Sequence, residues 1–208
     1  MKTQSAFCVA VVILFSAALS CRVGSGAAGT LSQDANKIMP AVAGAKCTVL
    51  GKTELTITCD YPPPTASKRP SGIALSHASF WFKTTDDSHL RVSLTFAKSG
   101  PSTIPIEASR PAYFSIDGPD GQNFVRRPLP SVHWEAVNPQ KPVTFSDTFI
   151  APALVPGQYA IHLWIPSPDP AQKFDVSRAI LLSNPGMADA KTGLNLLASF
   201  TVTEVPGR

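Results

Sequence analysis

Apolar and polar side chains alternate along most of this chain with a period of two. Leu90, Val92, Leu94 and Phe96 share one face, with Arg91, Ser93 and Thr95 opposite. Tyr159, Ile161, Leu163 and Ile165 likewise oppose Ala160, His162 and Trp164, and Phe80 and Phe82 oppose Ser79, Trp81 and Lys83. Successive side chains point to opposite faces only in a strand, so the pattern predicts half-buried β-strands. Further strands are predicted at Cys47–Val49, Leu55–Cys59, Pro111–Ile116, Phe124–Val125, Val143–Ile150, Ala179–Leu182 and Leu197–Val202. Turn chemistry separates them: Gly51-Lys52, Asp117-Gly118-Pro119-Asp120-Gly121, Pro156-Gly157 and Asn184-Pro185-Gly186. No β–α–β alternation accompanies the strands. The predicted fold class is all-β, an immunoglobulin-like antiparallel β-sandwich over roughly residues 46–205.

A different pattern precedes that domain. Lys2, an apolar run from Phe7 to Phe15, and Ala18-Leu19-Ser20 make a signal peptide over residues 1–20, with alternative cleavage points as late as 28. The apolar run is too short to span a bilayer. Residues 21–45 read as a linker rich at first in Gly, Ala and Ser, with a short helix over Asp34–Val42 ended near Pro40. The expected location is therefore secreted or extracellular. Cys21 directly follows the small-residue cleavage signature, so a lipid anchor at Cys21 is the alternative, tethering the protein at the cell surface without a transmembrane helix.

Export changes the reading of the cysteines. Of four, Cys8 leaves with the signal, and Cys47 and Cys59 are the natural disulfide pair in an oxidising compartment. Neither Cys-x-x-Cys nor metal-type His spacing accompanies them, so no metal site is expected. Net charge is +4 over the chain, from 18 basic and 14 acidic residues. Removing residues 1–28 deletes Lys2 and Arg22, leaving 16 against 14, or +2. That balance argues against nucleic acid as a partner. Twenty prolines and thirteen glycines suit many short strands and turns.

Four segments occur in an order that carries a family resemblance: Leu154-Val155-Pro156-Gly157-Gln158-Tyr159, His162-Leu163-Trp164-Ile165-Pro166, Ala179-Ile180-Leu181-Leu182-Ser183-Asn184, and Thr192-Gly193-Leu194-Asn195. Together they resemble the C-terminal all-β domain of a secreted family of unknown function, in which that domain follows a glycosidase-like barrel. The match is best over Pro156–Leu197. Ser167, Ser183 and Ala188 depart from the family's Asp, Ala and Trp. No barrel is present in these 208 residues, so the resemblance carries no catalysis. It implies a saccharide-related setting, by analogy of fold.

The candidate binding residues are aromatic. If the strands bearing them are neighbours, Trp81, Trp164 and His162 form an outward platform on which a pyranose can stack. The competing reading packs Trp164 and Trp81 under a loop or hairpin. His133-Trp134-Glu135 offers a second candidate, with Trp134 stacking and His133 hydrogen-bonding, against a strand edge with a buried tryptophan. Asp117–Gly121 reads as a turn and not as a calcium cage. No catalytic motif is recognisable among the acids, serines and histidines, and no cofactor is implied. The expected function is a non-catalytic module that binds a polysaccharide or glycan; the alternative is a surface domain that binds another protein.

Overall fold

The structure is a computed structural model that describes residues 36–40, 42, 44–50, 54–63, 72–83, 89–100, 110–120, 123–129, 134, 137 and 141–203. The predicted signal peptide, Cys21 and His133 lie outside the described residues. In chain order the strands are β1 (Asn36–Pro40), β2 (Lys46–Leu50), β3 (Glu54–Asp60), β4 (Ile73–Lys83), β5 (His89–Lys98), β6 (Ala112–Asp117), β7 (Asn123–Leu129), β8 (Val143–Ile150), β9 (Gly157–Trp164), β10 (Ala188–Asp189) and β11 (Leu194–Val202). They form two antiparallel sheets. Sheet I runs β1-β11-β9-β6-β7, with β10 added to β11, and sheet II runs β2-β3-β4-β5-β8. No helix among the described residues is long and apolar enough to cross a membrane.

The period-two faces close on each other. Phe80 and Phe82 of β4, with Leu90 to Phe96 of β5, are buried against Phe114, Ile116, Ile161, Leu163 and Phe200 of sheet I. Aromatic pairs bridge the layers: Phe80 to Phe114 at 5.8 Å, Phe114 to Phe149 at 6.3 Å, and Phe82 to Phe200 at 5.6 Å between centroids. Each such side chain contributes about 1.5–3 kcal/mol on full burial, which makes this layer the main source of stability.

The chain passes between sheets after β1, β5, β7 and β8, so β8 returns to pair with β5 and β9 to pair with β6. At the β8–β9 crossing the Tyr159 hydroxyl donates to Val155 O at 2.8 Å and accepts from Val155 N at 3.0 Å. Gly157 follows with φ +149°, and a Cβ there would come within 2.3 Å of Pro119. Glycine is thus required where the β8–β9 turn touches the β6–β7 turn. Cys47 and Cys59 face each other across β2 and β3, with Cα atoms 4.1 Å apart, and form the predicted disulfide.

Two predicted elements are corrected. Asn36–Pro40 is strand β1 rather than part of a helix, with Ile38 opposite Phe200 of β11. A helix this short is marginal in water, whereas the free edge of β11 supplies a ready ladder. The sandwich accordingly begins at β1, ahead of residue 46. Ala179, Ile180 and Leu182 are buried, but the segment Ala179–Leu182 is not a strand. Because β1 and β10 occupy that edge of β11, this segment bonds to individual groups: Ile180 N to Ile165 O at 2.8 Å, Leu182 N to Asn195 Oδ1 at 2.7 Å, and Ser183 N to Ile73 O at 2.7 Å.

Candidate functional site

The outer face of sheet I carries the site. Strand registers set Leu194, Trp164, Tyr113 and Pro128 side by side across β11, β9, β6 and β7. The next row along the same face begins Leu196, His162, Ser115. The Tyr113 and Trp164 rings lie 5.3 Å apart, tilted by 35°.

The loop after β9 completes the row. Pro166 stops the strand, and two turns of 3-10 helix follow, Pro170–Gln172 and Val176–Arg178. Each begins at an aspartate cap: Asp169 Oδ1 accepts from Ala171 N at 2.9 Å, and Asp175 Oδ1 accepts from Ser177 N at 3.0 Å and from Ser177 Oγ at 2.6 Å. These bonds hold the Asp175 carboxyl below its usual range, with Arg178 adding a weaker pull. Lys173 and Phe174 sit between the two capped turns, which direct them back over the sheet. Phe174 stacks on Trp164 at 5.8 Å and 23°, yet is itself 82% exposed. Lys173 Nζ donates to Tyr113 Oη at 2.8 Å and stands 4.4 Å over the Tyr113 ring and 5.7 Å from Trp164.

The β10–β11 turn forms the remaining wall. Asp189 accepts from Lys191 N at 2.8 Å and from Thr192 Oγ1 at 2.9 Å. Gly193, at φ +73°, lets this turn approach the second 3-10 turn; a Cβ would meet Val176 at 2.9 Å and Ala179 at 3.0 Å. The result is a cleft of about 290 Å³, lined by the three rings with Ser115, Lys173, Asp175, Val176, Thr192 and Leu194.

The candidates read from sequence separate on this frame. Trp164 and His162 do share one outer face, as alternation required. Trp81 does not join them, because it stands on the outer face of sheet II, across the core. Its Nε1 donates to Glu54 at 2.7 Å, and the Arg91 guanidinium covers its ring at 5.3 Å. Trp134 is a core side chain, 3% exposed, packed edge-on against Phe96 at 5.2 Å, with Nε1 donating to Arg110 O at 2.9 Å. It has no open face for a ligand. His162 is half-buried, and its Nδ1 lies 3.2 Å from Asp117 Oδ2 without hydrogen-bond alignment. Burial pushes its imidazole below the ordinary value, and the Asp117 charge partly opposes that.

Tyr113, Lys173, Phe174 and Thr192 were missed in the sequence. Tyr113 alternates outward with Ser115, a visible signal, but its place beside Trp164 depends on β6–β9 pairing. Phe174, a lone large apolar residue between two aspartate-led turns, was a readable anomaly. Among the described residues no group of three or more His, Cys, Asp or Glu could hold a metal ion. Compared with protein-family models, with curated proteins and with solved structures, the chain matches none.

Proposed function

We propose that this chain is an exported, non-catalytic immunoglobulin-type module that binds saccharide in the Tyr113–Trp164–Phe174 cleft. The observation that carries the reading is the composition of that cleft: three rings in a row, with Val176 and Leu194, set among two hydroxyls, a lysine and a carboxylate. Rings give a pyranose its apolar contact, and scattered polar groups orient its hydroxyls. A protein-binding surface calls instead for a contiguous apolar area.

The immunoglobulin-type reading is supported by strand order. Sheet II contributes β4-β5-β8 and sheet I contributes β7-β6-β9-β11, in the connectivity of that fold. The Tyr159 bond to Val155 lies where the fold's tyrosine corner lies. The disulfide departs from antibody domains, since it joins two strands of one sheet.

A non-catalytic role is supported by the surroundings of Ser115, His162 and Asp117. These could suggest an acyl-transfer triad, but no hydrogen bond links Ser115 to His162 among the described residues. The three lie on paired strands in mid-sheet, where the ladder uses the backbone N–H groups that an oxyanion hole would need. Export is supported by the signal-peptide pattern of residues 1–20.

The test is a glycan and polysaccharide screen, followed by titration of hits against Trp164→Ala. Saturable binding lost in Trp164→Ala with the fold intact is the expected result. Binding of the hit unchanged in Trp164→Ala and Phe174→Ala rejects the cleft. A protein partner captured on the same face, with no glycan binding, favours the interaction-domain alternative.

A further inference from the structure

We infer that Lys173 makes the cleft selective for a saccharide bearing a carboxylate, of the uronic type, over its neutral counterpart. This rests on the saccharide reading and adds the ligand's charge to it.

Among the described residues Lys173 is the one cationic side chain lining the cleft. A lysine at a loop tip ordinarily keeps its ammonium in water and gains little by ordering. Here the ammonium is held over the sheet by the Tyr113 hydroxyl at 2.8 Å and by the faces of Tyr113 and Trp164 at 4.4 and 5.7 Å. These partners fix its position without neutralising it. Among the described residues no carboxylate pairs with Lys173.

Of the nearby acids, Asp175 lines the cleft itself and the others lie outside it. Asp175 is bound to Ser177 and stands 3.9 Å from Arg178 Nε, Asp189 is bound to its own turn, and Asp117 faces His162. Among the described residues the cleft therefore carries a Lys173 ammonium fixed on Tyr113 and an Asp175 carboxylate held by Ser177 on its own turn.

Geometry selects the kind of anion. Lys173 covers Tyr113 and Phe174 stacks on Trp164, so the exposed apolar surface is chiefly that of Phe174. A pyranose stacked there carries an equatorial C6 carboxylate at its rim, close to the plane of the sugar ring. Lys173 Nζ stands over Tyr113 at 4.4 Å and over Trp164 at 5.7 Å, beside the exposed Phe174 ring. A charge-assisted hydrogen bond to the carboxylate can then form while the sugar face stays on the rings. A neutral hydroxymethyl group at the same position gains only an ordinary hydrogen bond.

The test uses the full chain and matched pairs that differ only at C6, the methyl glycosides of galacturonic acid against galactose and of glucuronic acid against glucose, titrated by calorimetry at low salt. The acidic member of at least one pair should bind roughly three- to tenfold tighter, as expected for one partly exposed charge-assisted contact. The preference should shrink at about 0.5 M salt, where the screening length is only a few ångströms. Lys173→Met should erase the preference and leave the neutral affinity in place, whereas Lys173→Arg should keep it. Equal binding of both members of every pair, lost in Trp164→Ala, overturns the acid preference while the saccharide cleft stands. A preference that survives in Lys173→Met overturns the assignment to Lys173. No binding of any member overturns the saccharide reading and this inference with it. Near-UV circular dichroism of each variant separates these outcomes from misfolding.

Discussion

Both ends of the Asn184 amide are bound to one residue of the opposite sheet: Leu75 N donates to Oδ1 at 2.8 Å, and Nδ2 donates to Leu75 O at 2.9 Å. The strand register explains why. β4 has a bulge between Leu75 and His77, and β3 pairs with β4 only as far as His77. Leu75 thus has no strand neighbour on that side, and Asn184, fully buried, stands in for one. Asn184→Ala leaves two buried backbone groups without partners and should cost about 2–4 kcal/mol. Asn184→Asp should cost at least as much, because a carboxylate oxygen replaces the donor facing Leu75 O. Urea unfolding of both variants checks this; a loss below about 0.5 kcal/mol for Asn184→Ala would show that water replaces the amide.

The three tryptophans should respond differently to truncation. Trp134→Ala empties a core site and removes the bond to Arg110 O, so a stability loss of about 3–5 kcal/mol is expected. Trp164→Ala should lower stability by less and abolish saccharide binding. Trp81→Ala should leave binding unchanged, since its ring is on the other sheet beneath Arg91. Thermal unfolding and a binding titration on all three variants decide the assignment. Equal loss of binding in Trp81→Ala and Trp164→Ala contradicts it.

The disulfide should matter for stability and not for the site. It closes a loop with a sequence separation of 12 in sheet II, far from the cleft on sheet I. Reduction, or Cys47→Ser with Cys59→Ser, should destabilise the fold by about 3 kcal/mol through the freed unfolded chain. Ligand affinity of the folded fraction should be unchanged, which titration at a temperature well below unfolding would show.

Face assignment was legible in the sequence because alternation alone determines it. Phe80 and Phe82 inward, Trp81 outward, and His162 with Trp164 outward all follow from period two. Sheet membership was not legible, because it depends on which strands pair at long range. Alternation therefore puts both Trp81 and Trp164 on outward faces, and only the strand pairing shows that the core separates them. The resemblance motifs had another meaning again. Asn184 and Asn195 recur in them as clamps: Asn195 accepts from Leu182 N at 2.7 Å and donates to Ile180 O at 3.0 Å and Leu163 O at 3.2 Å. An asparagine in a turn motif looks like turn chemistry until its distant partner is known. Lys173 was hidden for a similar reason, since only the folded loop brings it over Tyr113.

His162 supplies a pH dependence whose sign can be worked out. Burial lowers its folded-state value below the ordinary 6.5, so the unfolded chain binds more protons in the interval between the two. Stability should therefore be complete above about pH 6.5 and fall as the pH drops through that interval, by at most about 1.4 kcal/mol per pH unit for one proton. Asp117 opposes the shift from 3.2 Å. Asp117→Asn should accordingly lower the folded value further and extend the loss to more acidic pH, while His162→Gln should remove this component. Asp175 and Asp189 lose stabilisation only as pH falls through the carboxylate range, so they do not confound the interval just below 6.5. Urea midpoints measured from pH 7.5 to 4.5 on the three proteins test the assignment. A wild-type slope that His162→Gln leaves intact would move the effect to another titrating group.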